Sequence, residues 1–244
     1  MTQTRHFTLP DGRRIAFRQT EGHGPTIVFL PGYMSDMAGG KATALFEHCR
    51  ANRRACLLLD YSGCGASGGR FEDGTLSRWR DEVVAVVEAQ VEGEVLLVGS
   101  SMGGWLMLLV ALALRTRVAG LVGIAAAPDF TDWGYVEGQK AQLAAGQTIF
   151  EDNPYGPEPT PTHPGFWTDG QAQRLLDAPI PLACPVRLLH GQADADVPSE
   201  ISLRVAAVLQ SRDVRVTLVK DGDHRLSRPQ DIALLLRLVD EFAG

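Results

Sequence analysis

The chain alternates short apolar runs with longer amphipathic segments, and this alternation predicts its fold. Six runs rich in aliphatic side chains are expected to be strands: TIVFL (26–30), ACLLLD (55–60), VLLVG (95–99), LVGIA (121–125), VRLLH (186–190) and VRVTLV (214–219). Four of the six are almost continuously apolar, which is typical of parallel strands that are covered on both faces.

The intervals between these strands carry helical periodicity. Four segments show it: residues 75–91, 102–115, 199–209 and 229–242. At the N-terminus, HFTLPDGRRIAFRQ favours a β-hairpin around Asp11 and Gly12. Alternating strands and helices predict an α/β fold class. With the two hairpin strands, we expect one domain over residues 1–244, built on a doubly wound, mostly parallel eight-stranded sheet.

One interval is too long for an ordinary crossover between neighbouring strands. It follows the run at 121–125 and is rich in proline and aromatic residues. We predict a lid insertion at about residues 129–178, because long insertions in compact domains are usually lids or binding loops. The alternative is a surface excursion that packs its own aromatic side chains. The candidate substrate contacts in the predicted lid are Trp133, Phe150, Phe166 and Trp167.

Composition narrows the classes of partner. The 244 residues include 23 Lys and Arg against 29 Asp and Glu, so the formal net charge is −6. The chain lacks the excess of positive charge that nucleic-acid-binding proteins carry, so no nucleic acid partner is expected. No apolar run approaches the roughly 18 residues of a membrane span, so no stable membrane insertion is expected. The four cysteines form no C-x-x-C pair, which argues against a metal site. The N-terminus lacks the apolar core of a secretory signal, which predicts a cytoplasmic location.

The motif Gly99-x-Ser101-x-Gly103 carries the chemistry. It follows the predicted strand VLLV and opens the predicted helix MGGWLMLLVALAL, which is the context of a nucleophile elbow. Ser101 has glycine on both sides at the required offsets, whereas Ser100 would need glycine where Val98 stands. Ser101 is therefore the candidate nucleophile. The alternative is a glycine- and serine-rich strand end without chemistry.

A serine hydroxyl needs a base and an orienting acid. His224 lies after the last predicted strand, where the base is expected. Asp194 has the G-x-x-D-x-x-V-P spacing after the preceding strand and is the preferred acid, with Asp196 as a loop carboxylate. Asp129 remains an alternative acid after the fourth strand. His190 ends a strand and is expected to be structural.

An oxyanion would need backbone donors. The N–H of Met102 lies at the start of the helix that follows the elbow, and the N–H of Tyr33 lies in the loop PGYMSDMAGG. We predict that these two amides form the oxyanion hole. The alternative for the loop is a glycine-rich turn that binds nothing.

Several stretches together are similar to one known family. Five stretches resemble the α/β-hydrolase-domain family that includes the mitochondrial palmitoyl-protein thioesterase, which is also a mycophenolic acid acyl-glucuronide esterase. They are FLPGYMSDMAGGKA, LDYSGCGASGGRFEDGTLSRWRDEV, LLVGSSMGGWLML, PIPLACPVRLLHGQADADVP and DGDHRLSRPQDI. The resemblance implies an α/β-hydrolase fold, with Ser101 as nucleophile, Asp194 as acid and His224 as base. It weakens from 129 to 176. The chain shows no transit segment, which favours a bacterial-type, cytoplasmic relative.

These observations lead to one functional hypothesis and its rivals. We expect a serine hydrolase that cleaves carboxylic esters or thioesters of small molecules or acylated proteins through an acyl-enzyme, as a palmitoyl thioesterase does, with no cofactor and no metal. One alternative is an acyltransferase, perhydrolase or lyase on the same scaffold. Another is a ligand receptor that retains the three side chains.

Overall fold

The computed structural model contains one large sheet and one small one. It describes residues 3–154 and 156–242. The strands in the described residues are β1 (Arg5–Thr8), β2 (Arg14–Thr20), β3 (His23–Leu30), β4 (Arg54–Leu59), β5 (Val95–Ser100), β6 (Val118–Ile124), β7 (Ile149–Glu151), β8 (Thr160–Thr162), β9 (Val186–Gly191) and β10 (Val214–Val219).

The large sheet has eight strands in the order β1-β2-β4-β3-β5-β6-β9-β10. The β1–β2 hairpin is antiparallel and joins β4 antiparallel, whereas every pair from β4 to β10 is parallel. The predicted doubly wound, mostly parallel eight-stranded sheet is confirmed. Each of the six runs predicted as strands overlaps one strand, with ends that differ by three residues or fewer.

Eight α-helices are present in the part of the chain that the structure describes. They are α1 (Gly40–Ala51), α2 (Leu76–Gln90), α3 (Met102–Leu114), α4 (Phe130–Trp133), α5 (Glu137–Ala144), α6 (Pro164–Ala172), α7 (Glu200–Val208) and α8 (Pro229–Asp240). Four correspond to the predicted helical segments. Of the described helices, none is long and apolar enough to cross a membrane.

Two hydrophobic clusters cover the two faces of the sheet. One face packs against α2, α3 and α7, and the other packs against α1 and α8. Neighbouring residues of one strand go to opposite clusters: Leu97 faces the first, whereas Leu96 and Val98 face the second. Because side chains alternate across a strand and both faces are covered, the central strands are apolar without interruption.

The long interval between β6 and β9, residues 125–185, leaves the large sheet, and we call this segment the excursion. It contains α4, α5, α6 and the antiparallel β7–β8 ribbon. At its start, Asp129 has φ of 59° and is buried. The Asp129 carboxylate accepts the N–H groups of Leu175 at 2.9 Å and Leu176 at 2.8 Å, and thereby ties the start of the excursion to its end. Burial raises the pKa of Asp129.

Replacing Asp129 by alanine removes the only carboxylate in this tie among the described residues. We expect Asp129→Ala to lower the free energy of unfolding by about 2–4 kcal/mol, because two backbone donors lose their acceptor in a buried setting. Urea unfolding measures this change. Asp132→Ala, which removes a half-exposed partner of Arg174, is the control and should cost less than about 1 kcal/mol. Equal losses in the two variants would contradict the tie.

Candidate active site

Ser101 lies in a sharp turn between β5 and α3. Its φ of 55° and ψ of −122° are rare for a residue with a side chain, and such a conformation costs about 1–3 kcal/mol. The Ser101 N–H donates to the carbonyl of Ile124 at 2.9 Å, and the Ser101 carbonyl accepts from Gly104 and Ala127. These three hydrogen bonds, to β6, to α3 and to the turn after β6, stabilise the strained backbone and fix the direction of the hydroxyl.

The glycines on either side of Ser101 are required by close backbone approach. A Cβ added to Gly99 would overlap the backbone of Gly103 and Gly104. A Cβ added to Gly103 would overlap the carbonyl oxygen of Leu30, at the end of β3. The motif therefore reflects contact between the elbow and the neighbouring strand, as well as the tightness of the turn itself.

His224 lies between Ser101 and Asp194. Its Nε2 is 3.1 Å from Ser101 Oγ, and its Nδ1 is 2.9 Å from Asp194 Oδ2. Because a carboxylate can only accept, Nδ1 carries the ring proton and donates it, which leaves the Nε2 lone pair to face the serine hydroxyl. The structure thus brings together three side chains that are far apart in the sequence. This geometry allows His224 to take a proton from Ser101.

The Asp194 carboxylate is fully buried and surrounded by donors. Its Oδ1 accepts the N–H groups of Asp196 and Val197, each at 2.9 Å, and its Oδ2 meets His224 and lies 3.2 Å from His190 Nε2. Burial alone would raise the pKa of Asp194, but contacts with His190, His224 and Val197 outweigh it and hold the pKa well below its usual range. Asp194 therefore stays ionised at neutral pH.

The other two carboxylates considered from the sequence do not bond to His224. Both oxygens of Asp129 accept backbone donors of the excursion, so this alternative acid is engaged in a structural contact. Asp196 is exposed and lines the cavity described below.

A cavity of about 580 Å³ opens over Ser101 and His224. Tyr33 and Met102, the predicted oxyanion donors, both line it. Their N–H groups donate to no backbone carbonyl among the described residues, so both remain available to a ligand. The Tyr33 hydroxyl donates to the carbonyl of Pro161 at 3.0 Å, which links the loop after β3 to the excursion.

Of the four aromatic residues predicted to contact substrate, one lines the cavity. Trp133 does so, and its Nε1 donates to the carbonyl of Pro128 at 2.9 Å. Phe166 is 1% exposed and packs on the Tyr33 ring at 4.8 Å, so it is a core residue. Phe150 is 65% exposed and is not among the residues that line the cavity.

The fourth candidate, Trp167, donates to the carbonyl of Thr131 at 3.0 Å and is not part of the wall. Phe130 and Tyr135 line the cavity beside Trp133 instead. The high content of aromatic residues identifies the segment of the sequence that lines the cavity. It does not predict which side chains of the short helices and of the β7–β8 ribbon face the cavity.

Lys41 is a cavity residue that the sequence patterns do not indicate. It lies in the first turn of α1, and its Nζ donates to the carbonyl of Arg225, the residue after His224. Burial, together with the nearby Arg225, lowers the pKa of Lys41 to about 8. The contact ties the start of α1 to the loop that carries His224.

One group of side chains among the described residues has ligand atoms close enough for a metal ion. Atoms of Asp194, Asp196 and His224 lie within 4.8 Å of one another. However, His224 Nδ1 and Asp194 Oδ2 already bond to each other. A cation at this place would have to break that pair, so the arrangement favours proton transfer over metal binding.

Comparison with known proteins gives close matches over most of the chain. The model of the alpha/beta hydrolase family matches residues 27–234. Mitochondrial palmitoyl-protein thioesterase ABHD10 from Homo sapiens is 38% identical over 242 residues, which cover 96% of this chain and 78% of that protein. A solved structure of a protein from Agrobacterium vitis S4 has a TM-score of 0.94 at 38% identity, and the match covers 100% of both chains. Alpha/beta hydrolase domain-containing protein 10 from mouse has a TM-score of 0.91 at 38% identity, over 98% of this chain and 97% of that one.

The comparisons correct one expectation. The predicted cytoplasmic location is contradicted, because the curated relatives from human, mouse and orangutan are all named mitochondrial. The prediction rests on the lack of an apolar secretory leader and of a transit segment. An absent apolar leader does not distinguish the two compartments, because delivery to mitochondria uses amphipathic, arginine-rich segments, and the names of these relatives outweigh the missing transit segment.

The close approach at the elbow generates a stability prediction. We expect Gly103→Ala to lower the free energy of unfolding by about 2–3 kcal/mol, because its Cβ would displace the end of β3. Gly138→Ala is the matched control. Gly138 is also the second residue of its helix, but open space surrounds it, so alanine there should stabilise by up to about 1 kcal/mol. Urea unfolding compares the two, and similar values would contradict the packing constraint.

Proposed function

Because the chain belongs to the α/β-hydrolase family, we propose that it is a serine hydrolase that cleaves carboxylic esters or thioesters through an acyl-enzyme. The observation that carries the proposal is the hydrogen-bonded chain from Ser101 through His224 to Asp194, at the wall of a cavity. Relatives that are named thioesterases support a hydrolase acting on esters or thioesters.

In the acylation step, Ser101 Oγ attacks the acyl carbonyl while His224 Nε2 takes its proton. Asp194, held ionised, stabilises the imidazolium that forms. The N–H groups of Tyr33 and Met102 bind the oxyanion of the tetrahedral intermediate. His224 then delivers the proton to the leaving alcohol or thiol, and the acyl group remains on Ser101.

In the deacylation step, water takes the place of the leaving group. His224 accepts a proton from the water as it attacks the acyl-enzyme carbonyl, and the same two amides bind the second oxyanion. Return of the proton to Ser101 Oγ releases the carboxylic acid. The cycle balances with these side chains and water alone.

The acyl group lies against the aromatic wall of the cavity. Phe130, Trp133 and Tyr135 form this wall, and all three belong to the excursion that we propose as a lid over about residues 129–178. An apolar wall suits a hydrocarbon chain. Together with relatives named palmitoyl-protein thioesterases, it leads us to propose long-chain acyl thioesters, including S-acylated proteins, as substrates.

Removing the serine hydroxyl tests the mechanism. Ser101→Ala should lower kcat for p-nitrophenyl esters by about 10⁴-fold or more, because no nucleophile remains, while the thermal midpoint stays near that of the parent. Labelling by a fluorophosphonate should disappear as well. Ser100→Ala is the matched control, since Ser100 precedes the elbow and has no role in the proposal. Parental turnover in Ser101→Ala would refute the assignment.

A substrate series tests the proposed acyl group. The quantity to measure is kcat/KM for substrates with acyl chains from acetyl to palmitoyl, each as an oxygen ester and as a thioester. The aromatic wall predicts that kcat/KM rises with chain length and is highest for long thioesters. A preference for acetyl esters would point to a general carboxylesterase. Acyl transfer to an added alcohol would favour a transferase, and tight binding of a ligand with negligible turnover would favour a receptor.

A further inference from the structure

His190 is a fully buried histidine next to the proposed site, and the mechanism above does not use it. It lies near the end of β9 and is 0% exposed. Its Nδ1 is 2.7 Å from Ser202 Oγ on α7, and its Nε2 is 2.9 Å from the carbonyl oxygen of Val197. The same Nε2 lies 3.2 Å from Asp194 Oδ2. Every polar atom of this ring therefore has a partner.

The partners determine which ring nitrogen carries the proton. Nε2 faces a carbonyl oxygen and an ionised carboxylate, and neither can donate a hydrogen bond. Nε2 must therefore carry the hydrogen and share it between the two oxygens. The Ser202 hydroxyl can rotate to donate to Nδ1, so that both ring nitrogens have a partner.

We propose that His190 is a positioning residue for Asp194, an inference that rests on the proposed function. Asp194 Oδ1 is held by the N–H of Val197, and the carbonyl of that same Val197 accepts from His190. His190 thus fixes the turn that holds one carboxylate oxygen and directs a polarised N–H at the other. In this orientation, Asp194 Oδ2 faces His224 Nδ1 at 2.9 Å.

The network continues from the site into the body of the fold. Ser202 on α7, His190 on β9 and Asp194 on the loop after β9 form one buried series that ends at His224 and Ser101. Nδ1 of His190 contacts α7, and Nε2 contacts the loop after β9 at two oxygens. Through this ring, the positions of α7 and β9 are coupled to a carboxylate on a loop.

This role has a consequence for pH dependence. Contact with His190 lowers the pKa of Asp194, so removing it should raise that pKa. Among the described residues, the titratable groups that face Asp194 are His190 from β9, His224 from the loop after β10, and Asp196 from the loop after β9 that also carries Asp194. A carboxylate that loses this donor attracts the proton on His224 Nδ1 more strongly, and so favours the imidazolium, which cannot accept the proton of Ser101. The acid limb of the kcat/KM profile should therefore move to higher pH.

Three variants separate the hydrogen bond from the shape of the ring. His190→Leu removes the donor, His190→Gln supplies an amide whose two hydrogens can reach both oxygens, and Ser202→Ala removes only the contact at Nδ1. In His190→Leu, we expect kcat to fall about tenfold or more, KM to stay within about twofold, and the acid limb to shift upward by about one pH unit. His190→Gln should recover most of kcat, and Ser202→Ala should show a smaller loss.

The readouts are kcat and KM for an ester substrate from pH 5 to 9, the rate of fluorophosphonate labelling at Ser101, and the thermal midpoint. A folded His190→Leu with parental kcat and pH profile would overturn the proposal. So would a folded His190→Gln with no more activity than His190→Leu. If His190→Leu does not fold, His190→Gln decides: near-parental kcat supports the proposal, and a tenfold loss in a stable protein overturns it. Failure of the parent enzyme itself to label or turn over would instead end the proposed function.

Discussion

The site depends on a strained backbone at Ser101 that close packing holds in place. A positive φ at a residue with a side chain is unfavourable, so the surrounding structure must compensate for it. The compensation comes from hydrogen bonds to the turn after β6 and from glycines that let α3 and the end of β3 approach the elbow. A serine hydroxyl presented in this way projects into the cavity from the carboxyl edge of the sheet, where the loops after β9 and β10 begin.

Burial and hydrogen bonding oppose each other at Asp194, and their balance makes the site usable. Desolvation alone would favour the neutral acid, which could not orient or stabilise an imidazolium. The N–H of Val197 and two imidazoles reverse that preference. The carboxylate therefore keeps its charge inside the protein, where its attraction for a developing positive charge on His224 is stronger than it would be in water.

The sequence predicts the sheet and the three proposed catalytic side chains because each leaves a local signal. Central strands show apolar runs, and Ser101, Asp194 and His224 follow strands at recognisable spacings. Helix α1 leaves a weaker signal, since it begins after Gly39 without a side-chain cap and its buried face includes alanine and cysteine. Lys41 is missed for the same reason. The cavity wall is also missed in part, because the inward faces of α4 and of the β7–β8 ribbon depend on long-range packing that no local pattern encodes.

The excursion is anchored to the body of the fold at several places, and this bears on how substrate enters. Asp129 ties its two ends together, and the Asp169 carboxylate accepts the N–H of Ser77 at 2.8 Å and its hydroxyl at 2.6 Å. The Tyr33 hydroxyl holds the carbonyl of Pro161. The aromatic wall arises near the first of these anchors, at α4, so the cavity is largely shaped before substrate binds. A preformed pocket loses less conformational entropy on binding, and more of the binding energy is then available to align the acyl carbonyl with Ser101.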